Sequence, residues 1–217
     1  MSGTSPNESP REVEKTFRRH GILFVVSAAS GTGKSTLCNS LRQSKDFIYS
    51  VSCTTRAPRP GEIDGEDYHF LSREHFEEKV AAGGFIEHAH VHGNYYGTLK
   101  QTVLDAIASG TDVLLDIDAQ GAESIRKNPD PQIAASLVDV FIMPPTFEEL
   151  ERRLRKRGTE TEESIIRRLA NGREEMQRWS EFKYTILSGS MEEDLTKFRA
   201  IMRAERYLSR RLTLDES

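Results

Sequence analysis

Two periods of apolar residues exchange repeatedly along the chain. The run GILFVVSA at 21–28 is short, β-branched and nearly all apolar, which reads as a buried strand. At 34–43 the period lengthens, and Leu37 and Leu41 fall on one helix face. The exchange recurs downstream: strands are predicted at 47–52, 111–118, 138–143 and 182–187, and helices at 99–109, 121–127, 147–156 and 191–212. Thr146 is placed to N-cap the 147–156 helix, with Glu148 and Glu149 in its first turn. Thr159 with Glu162 fits a capping box for a further helix reaching about residue 180. Such alternation implies an α/β fold: a parallel sheet flanked by helices.

Between 53 and 96 the pattern breaks. Gly, Pro and aromatic residues crowd in, the extended pieces are short, and one helix is predicted near 73–82. This predicts a small, partly antiparallel domain inserted into a core made of 21–52 and 97–213. Residues 1–20 are rich in Ser, Pro and charge and are expected to be disordered. No internal repeat or heptad run is present in the sequence.

Composition narrows the class. The 217 residues are 36% hydrophobic and 29% charged, as expected of a globular chain. The longest apolar run, at 22–26, is far too short to span a bilayer, and the first 21 residues carry no apolar signal core. A net charge of −4 argues against a general nucleic-acid binder. Two cysteines, Cys38 and Cys53, make no disulfide framework or metal spacing, so a reducing cytoplasm is expected. Oligomeric state is left open.

Chemistry enters where the first strand ends. Ala28-Ala29-Ser30-Gly31-Thr32-Gly33-Lys34-Ser35-Thr36 is a phosphate-binding loop in its proper context, strand before and helix after. Gly31 and Gly33 let successive N–H groups converge on one anion, and the helix adds its positive end. Lys34 would reach the outer phosphates of a nucleotide, and the Ser35 hydroxyl would ligate Mg²⁺. The pattern asks for Gly at its first position, where this chain has Ala28.

Further constellations follow. Pro58 and Pro60 stiffen the chain around Arg59, and Arg56 and Arg59 are planar forks suited to phosphate or to a solvated turn. Tyr68, Glu87, Tyr96 and Thr98 offer hydroxyls and a carboxylate. Asp116 and Asp118 end a strand with alternate spacing, on one face near the loop's mouth. They could organise Mg²⁺ through water, and one of them could simply cap the next helix. Arg153 and Arg157 lie one helical turn apart, with Arg168 on the following helix. His88, His90 and His92 alternate on one face of an extended segment, but no fourth ligand for zinc is evident.

The phosphate loop, TTRAPRPGEIDGEDYHF, FIEHAHVHGNYYGT, LLDIDAQG and RRLRKRGTETEES together resemble the guanylate kinase family, in its order, over about residues 21–207. The resemblance implies phosphoryl transfer from ATP to GMP, and to dGMP, giving the diphosphates with Mg²⁺, as part of purine nucleotide metabolism. It also implies a P-loop NTPase-type core, a GMP-binding insert at 53–96 and a helical lid at about 153–168. Arg56, Arg59, Tyr68 and Tyr96 match the family's GMP-phosphate ligands, and Ser52, Glu87 and Thr98 its guanine readers, with Asp116 and Asp118 close by. Lys34, Arg59, Arg157 and Arg168 are the expected catalytic charges, with Arg153 beside the ATP. After the last core strand the family usually carries Asn-Asp, and this chain has Ser188-Gly189. A non-catalytic scaffold module of the same shape would typically have a degraded phosphate loop, whereas here Lys34 and Ser35 are intact. A kinase for another nucleoside monophosphate is disfavoured by Glu87 with the Ser52 and Thr98 hydroxyls.

Overall fold

Residues 22–26 are fully buried and alternate between two apolar clusters, because helices cover both faces of the strand they form. The computed structural model describes residues 15–216 apart from 45, 92 and 157–160. Among these, the central sheet has five parallel strands: β2 (Leu23–Ala28), β3 (Ile48–Tyr49), β8 (Val113–Asp116), β9 (Leu137–Met143) and β10 (Tyr184–Leu187). Their order is β10-β9-β2-β8-β3, so the phosphate loop leaves the middle strand. Leu23 and Val25 pack with α3 (Lys100–Ala108), α4 (Ala119–Arg126) and α5 (Pro131–Ser136). Phe24 and Val26 pack with α1 (Lys34–Arg42) and α8 (Met191–Arg206). This is the α/β architecture that the alternation predicts.

Between β3 and α3 lies a second, mixed sheet of order β5-β4-β7-β6, made of β4 (Cys53–Thr54), β5 (His69–Phe70), β6 (Phe85–Val91) and β7 (Asn94–Leu99). It closes over α2 (Arg73–Ala81), whose Phe76 is fully buried between Phe85 and Tyr95. The Ser72 hydroxyl caps α2 by accepting from the His75 amide. On the other side of the core, α6 (Phe147–Lys156) and α7 (Glu162–Gln177) pack through Leu150, Leu154 and Ile165. A Cβ on Gly172 would sit 2.6 Å from Leu150 Cδ2, so glycine permits this close approach.

Several boundaries differ from the sequence reading. Residues 15–19, expected to be disordered, form β1 (Lys15–Arg19) against β11 (Leu212–Glu216). The partner strand comes from the far end of the chain, so local composition could not reveal it. The terminal helix ends at Arg206 rather than 212, because Arg211 folds back onto Glu205 and the following residues join β1. Thr161, not Thr159, caps α7 by accepting from the Ser164 amide, and Thr159 lies outside the described residues. The 47–52 strand shrinks to Ile48–Tyr49. Helix α5 was not anticipated, although Asp130 caps it and Pro131 opens it, a readable start signal.

Candidate active site

The loop after β2 adopts the backbone its glycines permit: φ is +92° at Gly31 and +96° at Gly33. A Cβ on Gly31 would also meet Leu154 Cδ2 at 2.6 Å, so the loop is seated directly on α6. Thr32 Oγ1 donates to the Ala29 carbonyl at 2.8 Å and closes the turn. Lys34 Nζ lies 2.6 Å from Asp116 Oδ1 and donates to the Ile117 carbonyl at 2.9 Å. The Lys34 ammonium therefore bridges the start of α1 and the end of β8. Ser35 follows it, exposed on the first turn. Cys38, one turn further, has its thiol pushed up to about 12 by burial, with the Asp116 charge adding, and takes no part as a nucleophile.

Beside Asp116 opens a cleft of about 240 Å³ lined by Ser52, Tyr68, Glu87, Tyr96, Asp116 and Asp118 among others. Strands from both sheets thus converge on one space. Thr98 Oγ1 donates to Glu87 Oε1 at 2.8 Å across the β6–β7 pair. Burial pushes the Glu87 carboxyl up to about 6; the Thr98 hydrogen bond opposes this and the Asp118 charge adds to it. Asp118 has a structural duty as well, since its Oδ1 accepts the Gly121 amide at 2.8 Å and caps α4.

The arginines of the Pro-rich loop are less gathered than their sequence spacing suggests. Arg56 Nη2 contacts both Glu62 oxygens, at 2.8 and 3.0 Å, and its guanidinium lies 5.5 Å from the Tyr68 ring centre. Glu62 also accepts the Arg59 amide at 2.7 Å, so one carboxylate organises the whole turn. The Arg59 residue is exposed and lies outside the cleft lining. Arg157 and His92 fall outside the described residues. His88 packs edgewise on Phe76, and His90 tilts onto Tyr95. Among the described residues, no three His, Cys, Asp or Glu side chains gather as metal ligands.

A family model described as guanylate kinase matches residues 20–205. The chain belongs to the guanylate kinase family. It is 46% identical over 196 residues to a guanylate kinase of Sphingopyxis alaskensis, covering 90% of this chain and 87% of that protein. It is 47% identical over 191 residues to one of Syntrophotalea carbinolica, covering 87% and 88%. Among solved structures, guanylate kinase from Anaplasma phagocytophilum superposes with a TM-score of 0.70 at 33% identity, over 91% of this chain and 92% of that one. Among the described residues, no helix is long and apolar enough to cross a membrane.

In this guanylate kinase fold, two residues of α7 reach the phosphate loop. Arg168 Nε donates to Ser30 Oγ at 3.2 Å, and Glu175 Oε2 accepts the Ser30 amide at 2.6 Å. Glu175 was missed by the sequence reading. Its signal was its position two helical turns after Arg168, on the same face. Burial raises its carboxyl above the usual range, while the Ser30 amide opposes. On α6, Arg153 donates to Glu149 Oε1 at 2.7 Å, to Ser188 Oγ at 2.8 Å and to the Ser188 carbonyl at 3.0 Å. Ser188, standing where relatives were expected to carry Asn, is buried and donates to Asp194 at 2.7 Å. Its hydroxyl is therefore spent inside the protein.

Proposed function

We propose that this protein transfers the γ-phosphoryl group of ATP to GMP, giving ADP and GDP, with Glu87 as the residue that selects guanine. One arrangement carries the reading: Glu87, held from behind by buried Thr98, opens on the same cleft as Asp116, which holds the phosphate-loop Lys34. A carboxylate there accepts both the imino and the amino hydrogens of guanine, a donor pair that adenine lacks. A site that buries such a group rejects acceptors that leave it unpaired.

The remaining residues divide by substrate. Ser52 and Thr98 complete the guanine edge, and Arg56, Arg59, Tyr68 and Tyr96 hold the acceptor phosphate, for which Arg56 exchanges Glu62. Residues 28–36 with Arg153 hold ATP. Lys34, Arg157 and Arg168 neutralise the charge of the transferring group, which is most of what phosphoryl transfer asks of a protein. The acceptor phosphate oxygen is already anionic, so no general base is needed. Ser35 is exposed on the first turn after the loop, and Asp116 and Asp118 line the cleft; these oxygen donors are the type that suits a hard divalent cation. Mg²⁺ bound there with ATP would neutralise phosphate charge. The 153–168 segment, as a lid, would exclude water that otherwise takes the phosphoryl group. Buried free thiols and a net charge of −4 suit a cytoplasmic enzyme of small molecules.

The test is ATP consumption with GMP, dGMP, AMP, UMP and dTMP offered separately. GMP and dGMP should give rapid ADP formation and the other three little. Comparable turnover with AMP or UMP overturns the assignment of Glu87.

A further inference from the structure

At the other end of the central sheet lies a cavity of about 470 Å³. Gly21, in its wall, precedes β2, and the phosphate loop follows β2, so roughly 20 Å of strand separates the two sites. Arg18 of the β1–β11 ribbon is part of the cavity's lining. The ribbon's register pairs Phe17 with Leu214, Arg18 with Thr213 and Arg19 with Leu212. Side chains alternate between faces, so Arg18 and Thr213 share one face and Phe17, Arg19, Leu212 and Leu214 the other, where Arg19 is tied to the buried Asp112 at 2.7 Å. Arg18 lines the cavity, and Thr213 Oγ1 lies 2.7 Å from His20 Nε2 on the same wall. Phe17 is 72% exposed on the second face, and Arg18 stands at the cavity's edge on the first.

Arg18, His20, Arg210 and Arg211 line this space, and among the described residues no carboxylate does. Arg211 donates to Glu205 Oε2 at 2.7 Å and to the Glu205 and Ala135 carbonyls. Arg18 and Arg210 are exposed at the edge. Opposite them the lining is apolar, from Leu104 and Ile107 on α3 and Ala135 on α5. Guanidinium forks at the mouth of an apolar cleft of this volume fit a ligand that is flat and apolar at one end and anionic at the other. Arg18, Arg210 and Arg211 lie outside residues 20–205, which the family model matches, so the segments flanking the matched region supply the arginines while α3 and α5 supply the apolar wall.

We propose that this cavity binds an organic anion, its apolar body against α3 and α5 and its carboxylate, sulfonate or phosphate between Arg18 and Arg210. The site is separate from the catalytic cleft.

The probe is 8-anilinonaphthalene-1-sulfonate, titrated into the full-length protein with GMP and ADP at saturating concentration to occupy the catalytic cleft. The expected result is a one-to-one, blue-shifted fluorescence enhancement that weakens with added salt. The double variant Arg18→Ala/Arg210→Ala should bind at least tenfold more weakly. Ala135→Phe, which fills the cavity without changing charge, should abolish the signal. Both variants should keep wild-type turnover with ATP and GMP, which shows that they are folded. If Ala135→Phe loses turnover, the arginine variant decides. No enhancement, or equal affinity in wild type and the arginine variant, overturns the proposal. Turnover is read independently, so either result leaves the catalytic assignment to its own assay.

Discussion

Thr98 and Glu87 face each other across the β6–β7 pair and share a 2.8 Å hydrogen bond, the hydroxyl donating. Thr98 is fully buried, and the carboxyl it holds has been pushed up to about 6. A carboxylate kept there at a cost in solvation is one whose charge a ligand can use.

The pH dependence follows with a definite sign. As the proposed guanine acceptor, Glu87 must be unprotonated to receive the donors that guanine presents. Its pKa stands at about 6, above the ordinary 4.5, so GMP affinity is complete well above pH 6 and is lost as pH falls through that value. The GMP KM at saturating ATP should rise about tenfold per pH unit below 6. Glu87→Gln should remove that step and raise the GMP KM about ten- to hundredfold at pH 8, with the ATP KM nearly unchanged. Folding stability should move the other way. A raised carboxyl pKa means that protonation favours the folded state, so Glu87's contribution improves as pH falls from about 6 toward 4.5. A GMP KM that is flat between pH 5 and 8 would exclude Glu87 as the guanine acceptor.

Lys34 is aimed by Asp116 at 2.6 Å and by the Ile117 carbonyl at 2.9 Å. Lys34→Ala should lower kcat by about 10²–10³, the usual loss when one stabilising charge leaves a phosphoryl-transfer site. Asp116→Asn keeps the shape but removes the ion pair, and should lower kcat by about tenfold. Rapid-quench measurement of the chemical step checks both, and near wild-type rates for Lys34→Ala would dismiss its catalytic role.

Glu175 anchors the phosphate loop through the Ser30 amide at 2.6 Å. Removing the acceptor in Glu175→Ala leaves that amide unpaired and the loop less ordered, so the ATP KM should rise several-fold while the GMP KM changes little. Glu175→Gln retains an acceptor oxygen and should recover most of the loss. Equal effects of the two variants on both substrates would point to a general folding defect.

Glu205 and Arg211 form a buried pair, 1% and 3% exposed, joined at 2.7 Å, and Lys183 and Tyr184 also contact Glu205. Burial works against the Glu205 charge, but the Arg211, Lys183 and Tyr184 donors hold its carboxyl at about 2. Arg211→Ala leaves a buried carboxylate short of a partner and should cost about 3–5 kcal/mol in urea unfolding. Because the folded pKa is depressed, this contribution is present above about pH 4.5 and is lost as pH falls toward 2.

The readable features share a property: each is written in neighbouring residues. The Gly31-Thr32-Gly33-Lys34 spacing, the Thr146 cap of α6, the Leu37/Leu41 face of α1 and the β-branched run of β2 are local signals, and the structure has each of them. Features carried by distant segments were not readable. The β1–β11 pair joins the two ends of the chain. Glu175 meets Ser30 only after α7 has packed beside the loop. One unread contact is local: Glu62, in the same turn as Arg56 and Arg59, takes the first guanidinium and the backbone amide of the second, because a carboxylate's choice of donor is set by how the turn closes.

By itself, the sequence determined the parallel α/β order, the phosphate loop and the chemical types available near it, because periodicity, capping and glycine spacing act over a few residues. The tertiary structure decided which partner each side chain has: Asp116 for Lys34, Thr98 for Glu87, Glu205 for Arg211 and Glu62 for Arg56. It also decided that Arg18, near one end of the chain, and Arg210, near the other, would line one cavity. Solvation and Coulomb energies depend on separation in space rather than along the chain, so they take their values only after the fold has brought distant residues together.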